Sequence, residues 1–219
     1  MLFTIIPFFL AFSVADRIID FLGFQGAYYL IHAAHNIAMV HATASDVFLT
    51  FTDFHNLQHY SPNYYAASLC FALHFYHITL YYNTLRYDDW LHHSLMIFMA
   101  LPLGIMLPST TLLGYSLFFS TGLPSVLDYL LLFGVRNGWV QRITEKRVNR
   151  FLNLWLRSPG CVSHAVLTLA YIYSAADNDG FWQMKTIGLL PPLLMFWNGQ
   201  YFMAQVVENY ALQNAVNNG

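Results

Sequence analysis

From Ser94 to Leu107 the chain carries no charged residue, and this run opens on two adjacent histidines, His92 and His93. Similar apolar stretches recur along the whole sequence. Nine basic and eleven acidic residues serve 219 positions, so charged residues make up 9% of the chain, against roughly 25% in soluble domains. That is too few to solvate a water-exposed surface, and lipid is the expected solvent. Segments that cross a bilayer pair their backbone groups internally and need about 20 apolar residues each, which predicts an all-α, polytopic membrane protein. Histidines at that depth are costly unless they face a protein interior or a wet cavity, so His92 and His93 anchor the functional reading.

About seven transmembrane helices are expected, near 2–15, 25–46, 63–84, 89–107, 111–134, 158–175 and 181–206. Ser61-Pro62-Asn63, Leu107-Pro108-Ser109 and Asn178-Asp179-Gly180 mark connections, and Pro191-Pro192 is expected to kink the last helix. The first 15 residues end on Ser13-Val14-Ala15, as a signal peptide would, but no basic residue precedes them, and they are read as a retained span. The chain divides into a first span with its connecting loop (1–24), a bundle (25–210) and a short tail (211–219).

Cytoplasmic loops are enriched in Lys and Arg. With seven spans, Arg17, Arg86, Arg136, Arg142, Lys146, Arg147, Arg150 and Arg157 fall on one side and only Lys185 on the other. The N-terminus is therefore expected to be lumenal and the C-terminus cytosolic. The basic stretch from Arg136 to Arg157 reads as a positive-inside loop with a helix cap, the alternative being a segment lying on an anionic membrane surface. A net charge of −2 gives no sign of a nucleic-acid partner, and Cys70 and Cys161, each among apolar neighbours, read as buried small side chains.

Four helices carry polar stripes at helical spacing. His32 and His35 share a face of the second. Cys70, His74, His77 and Tyr81 line one face of the third. On the fifth, Thr121, Ser125 and Asp128 align, and Pro124 removes a donor from the carbonyl of Ser120, so a local break is expected there. Asn198, Tyr201, Gln205 and Glu208 share a face of the last. Interhelical hydrogen bonding explains such stripes without any function, but their convergence near the histidine doublet would build a polar site inside lipid. No metal is expected: His32-x-x-His35, His74-x-x-His77 and His92-His93 lack the H-x-x-H-H boxes of membrane desaturases and elongases.

The segment Ala72-Leu73-His74-Phe75-Tyr76-His77, followed by Arg86-Tyr87-Asp88-Asp89-Trp90-Leu91-His92-His93, resembles the TLC domain family, which includes the ceramide synthases. It is similar to that family's G-Y-F-x-x-D helix and the D-x-x-x-H-H start of the next, and His32-Ala33 is similar to its opening H-A. His77 stands where many members have Asp, and Leu73 where they have Gly. Ser120-Thr121-Gly122-Leu123-Pro124 replaces the H-D-x-x-D element of the synthases and looks more like the S-T-P segment of the non-synthase TLC-domain-containing proteins. The resemblance implies six helices around a central cavity, the first span lying outside them, and residence in an endomembrane such as the endoplasmic reticulum.

Three functions are compatible with these residues. In the first, the chain binds or handles membrane lipid and influences lipid composition, with His32, His35, His74, His77, Tyr81, Ser120, Thr121, Ser125 and Asn198 as lipid-binding residues. In the second, implied by the resemblance, it is an N-acyltransferase that uses acyl-CoA as co-substrate and no bound cofactor. His92 or His93 would then act as base or acyl acceptor, oriented by Asp128 or His77. In the third, it is a structural subunit, homo-oligomeric or within a larger membrane complex, with Tyr28, Tyr29, Tyr64, Tyr65, Tyr81 and Tyr82 packing on partners.

Overall fold

The computed structural model describes residues 2–61, 63–106, 110–174 and 188–218. All regular structure among them is helical, with no strand. The chain forms α1 (Leu2–Phe21), α2 (Ala27–Thr52) and α3 (Tyr64–Tyr81); α4 runs through Tyr87–Leu95, Met96–Ala100 and Leu101–Met106. Next come α5 (Thr110–Leu117, Phe118–Gly122, Leu123–Arg136), α6 (Arg142–Leu152, Asn153–Arg157, Ser158–Ser174) and α7 (Leu190–Asn218). The middle segment of each of α4, α5 and α6 is a widened π-type turn, a distortion frequent at functional sites. The expected Leu107-Pro108-Ser109 and Asn178-Asp179-Gly180 connections, Pro62, Lys185 and the start of the last span lie outside the described residues.

Local chemistry accounts for several boundaries that differ from expectation. Instead of ending near residue 15, α1 continues to Phe21, because the buried Asp16 carboxylate accepts hydrogen bonds from the Tyr76 hydroxyl and, at 2.6 Å, from that of Tyr81. The first turn of α3 is capped by Asn63, whose Oδ1 accepts the Ala66 N–H while its amide donates to Asp46 Oδ2 of α2 at 2.7 Å. A Cβ at Gly114 would overlap that Asp46 carboxylate, so α5 approaches α2 closely there. Pro124 does not break α5; the π-type turn ahead of it absorbs the missing donor and the helix continues. Pro191 and Pro192 lie in the first turn of α7, where a missing N–H costs no internal bond, so they start a helix rather than kink one.

Most of the stretch from Arg136 to Arg157 is helix rather than loop. Arg142 to Arg157 is helical and continuous with the Ser158–Ser174 segment that follows, and its inner face buries Glu145, Asn149, Leu152 and Asn153. Glu145 is only 1% exposed, held by Lys146 at 3.2 Å and by the Asn149 amide at 3.4 Å.

Packing runs from α2 to α3, α4, α7, α6, α5 and back to α2, while α1 lies outside against α2 and α3. The apolar core joins Ile5 of α1, Met39 of α2, Ala66 to Ala72 of α3, Leu101 of α4, and Leu113 and Leu117 of α5. Outward faces carry large apolar side chains, among them Phe48, Phe51, Phe98, Trp155 and Tyr173. Among the described residues one helix, Thr111–Arg136, is long and apolar enough by itself to cross a membrane.

Candidate functional site

Five imidazoles from three helices meet where α2, α3 and α4 pack. His77 lies 4.7 Å from His93 between ring centroids, His93 lies 5.1 Å from His74, His74 5.5 Å from His92, and His32 5.6 Å from His77. Helical spacing explains the assembly: His74 and His77 are three apart on α3, and the doublet stands at the end of the first helical segment of α4, where His92 and His93 carbonyls both accept the Met96 N–H. Tyr28 and Tyr129 close one side, with their rings 3.9 and 4.7 Å from His32. Phe202 of α7 closes the other, 6.0 Å from His92.

Hydrogen bonds fix several tautomers. The Nδ1–H of His74 donates to the Cys70 carbonyl at 2.7 Å, and that of His32 donates to the Tyr28 carbonyl at 2.8 Å. A neutral His74 therefore presents a lone pair at Nε2, which is buried and without partner. His93 Nε2 lies 2.9 Å from His77 Nδ1, so one of these nitrogens donates and the other accepts. Whichever way that proton sits, His93 Nδ1 is left buried and unpartnered. Two orphaned ring nitrogens on adjacent imidazoles form a place for a group that can donate, and also accept, hydrogen bonds. An unmet buried polar atom otherwise costs about 1–3 kcal/mol.

Of the residues singled out in the sequence, His32, His74, His77, His92 and His93 are brought together. Tyr81 touches this group at its edge, 6.0 Å from His77, while its hydroxyl serves Asp16. His35 turns away, its Nδ1–H donating to Asn36 Oδ1 at 2.9 Å, and Thr121 donates to the same oxygen at 3.2 Å. Ser120, within the Phe118–Gly122 turn, and Ser125, just after it, are buried on α5. Asn198 meets Cys161 between α6 and α7. Asp128 makes no hydrogen bond to either residue of the doublet; it lies by Glu145, Lys146 and Arg157. The partner that orients His93 is His77.

The imidazole rings pack against one another between α3 and α4. An open groove of about 550 Å³ follows the outer face of α1, lined by Phe9, Ser13, Arg17 and Leu80 among others. Tyr28 is not a partner-facing aromatic but part of the ring cluster, whereas Tyr64, Tyr65 and Tyr82 are exposed. The importance of Tyr28 was visible in its i, i+4 relation to His32; that of Tyr129 and Arg157 had no local signal. Among the described residues no group of three or more His, Cys, Asp or Glu is placed to hold a metal ion. Both cysteines are free and buried. Comparison with protein-family models, curated proteins and solved structures gives no match.

Proposed function

We propose that this chain is a multi-pass membrane protein that binds lipid in a TLC-type helical bundle and influences membrane lipid composition. The observation that carries the reading is the cluster of five imidazoles, with two orphaned nitrogens, inside a bundle whose outer faces are apolar. A lipid headgroup bearing a hydroxyl or amine donates to His74 Nε2 and meets His93 Nδ1, entering beside the partly exposed His92. Seven spans with a lumenal N-terminus and cytosolic C-terminus accord with the order of the helices. The loop hydrogen bonds between Gln25 and Asn137 support this by joining the α1–α2 and α5–α6 connections at one end. The endoplasmic reticulum is the proposed residence, on the resemblance alone.

The His77–His93 pair favours one second reading, an acyl-CoA-dependent N-acyltransferase. An imidazole held by a partner at one nitrogen and free at the other has the arrangement of a general base or acyl acceptor. One experiment separates the readings: lipids are analysed in cells expressing the wild type or His92→Ala/His93→Ala, and in each protein purified in mild detergent. Lipid enriched in one headgroup class on the wild type, lost on the double variant, supports binding. An amide-linked lipid that rises only with the wild type moves the assignment to acyl transfer. Equal, unselective lipid on both proteins, with no new product, refutes both.

A further inference from the structure

Two arginines on the inner side of α6 have no acidic partner. Among the described residues the ion pairs are Arg86–Asp89 and Lys146–Glu145, and neither includes Arg150 or Arg157. Each guanidinium lies over a ring of α7 instead: Arg150 at 4.2 Å from the Tyr210 centroid and Arg157 at 4.6 Å from that of Phe202. A ring covers the face of a guanidinium but takes none of its five in-plane donors. The Nε of both residues is buried without an acceptor.

Arg157 also has a special position. The Phe202 ring beneath Arg157 also meets His92 edge-on at 6.0 Å, so one aromatic holds a partly buried cation beside the histidine cluster. Its charge reaches His92, Tyr129, Cys161 and Asp128. Asp128 is the carboxylate within that reach, yet it is not in ion-pair contact and leans on Glu145 and Lys146. Side-by-side in-plane donors match the two oxygens of a phosphate, and such charge-assisted pairs are the strong ones.

We infer that Arg157 binds the phosphate of a phosphate-bearing lipid whose headgroup reaches the histidines. This deepens the lipid-binding reading and rests on it: the cluster recognises the donor end of the headgroup, and Arg157 selects for an anionic oxygen. Arg150 continues the positive strip along α6.

The test uses the full chain in mild detergent, offered phosphatidic acid, phosphatidylethanolamine and diacylglycerol with identical acyl chains, with bound lipid counted by native mass spectrometry. The wild type is expected to hold both phosphate-bearing lipids about tenfold more tightly than diacylglycerol. Arg157→Gln should bind the three alike, and Arg157→Lys should keep part of the preference. A well-folded Arg157→Gln protein that keeps the preference overturns the inference. So does a match between Arg157→Gln and Asp128→Asn in lowered melting temperature with unchanged lipid spectra, which would make Arg157 a mere counter-charge. If Arg157→Gln does not fold, protection of wild-type Arg157 from phenylglyoxal by phosphatidic acid decides: protection supports the inference, and none overturns it. Inorganic phosphate that protects equally well and displaces the lipid reassigns the site to free phosphate and overturns the lipid source. A wild type that holds none of the three lipids refutes the lipid-binding reading itself, whereas diacylglycerol held without preference refutes only the role of Arg157.

Discussion

Removing the Tyr76 hydroxyl should loosen α1 from the bundle. Tyr76 is fully buried and donates to Asp16, a carboxylate 2% exposed that also accepts from Tyr81. A hydrogen bond to a charged group contributes about 1.5–3 kcal/mol, so Tyr76→Phe should cost about 2 kcal/mol. For a chain of this size that corresponds to a fall of roughly 4–8 °C in melting temperature. The half-buried Tyr81 can exchange its bond for water, and Tyr81→Phe should cost about 1 kcal/mol at most. Asp16→Ala orphans both hydroxyls and should cost the most. The assay is reversible unfolding in mixed detergent micelles of the three single variants and the Asp16→Ala/Tyr76→Phe double. The double should be less destabilised than the sum of its parts, because both changes remove one interaction. A Tyr76→Phe protein within about 0.5 kcal/mol of the wild type, or strict additivity in the cycle, would refute the claim that this buried carboxylate fastens α1.

Gly114→Ala drives a methyl group into the Asp46 carboxylate and should cost about 1–3 kcal/mol, read in the same unfolding assay, with Gly114→Ser no better. His77→Ala leaves both nitrogens of His93 unpartnered; a loss of about 1–3 kcal/mol is expected, partly restored by His77→Gln, whose amide can serve either tautomer. At the α2–α3 connection, hydrogen bonds from Tyr60 at 2.5 Å and from Asn56 at 2.7 Å hold the Asp53 carboxyl below its usual range. A depressed folded value means that this contribution is fully present above the ordinary carboxylate range near pH 4 and disappears as pH falls through the folded value. Hydrogen exchange at residues 53–60 should therefore accelerate below about pH 4, and Tyr60→Phe should move that onset upward.

Helix positions were legible where apolar periodicity had clear ends. The starts of α3 and α4 follow from Asn63 and Asp89, whose carboxylate accepts the Arg86 N–H at 2.9 Å. The inward stripe of His74 and His77 was likewise readable from spacing alone, as was the closeness of the doublet. What escaped depended on partners remote in sequence. Nothing around Asp16 says that two tyrosines some sixty residues later will shelter it, so α1 looked short. The basic stretch looked like a loop because its charges are dense; only the burial of Glu145, Asn149 and Asn153 against α5 and α7 makes it helix. Asp128 looked like a partner for the doublet because helical phase puts it on the right face. Its depth along α5, beside Glu145 and Lys146, is a tertiary fact.

The circuit of contacts that joins α4 to α7 carries a temporal consequence. Phe202 lies on α7, which is synthesised after the helices that carry the doublet and Arg157, so during translation these residues wait, uncovered on one side, until α7 has emerged. A nascent chain stopped short of that ring would present an open histidine face to its surroundings, and a protein truncated before Phe202 would leave that face permanently bare.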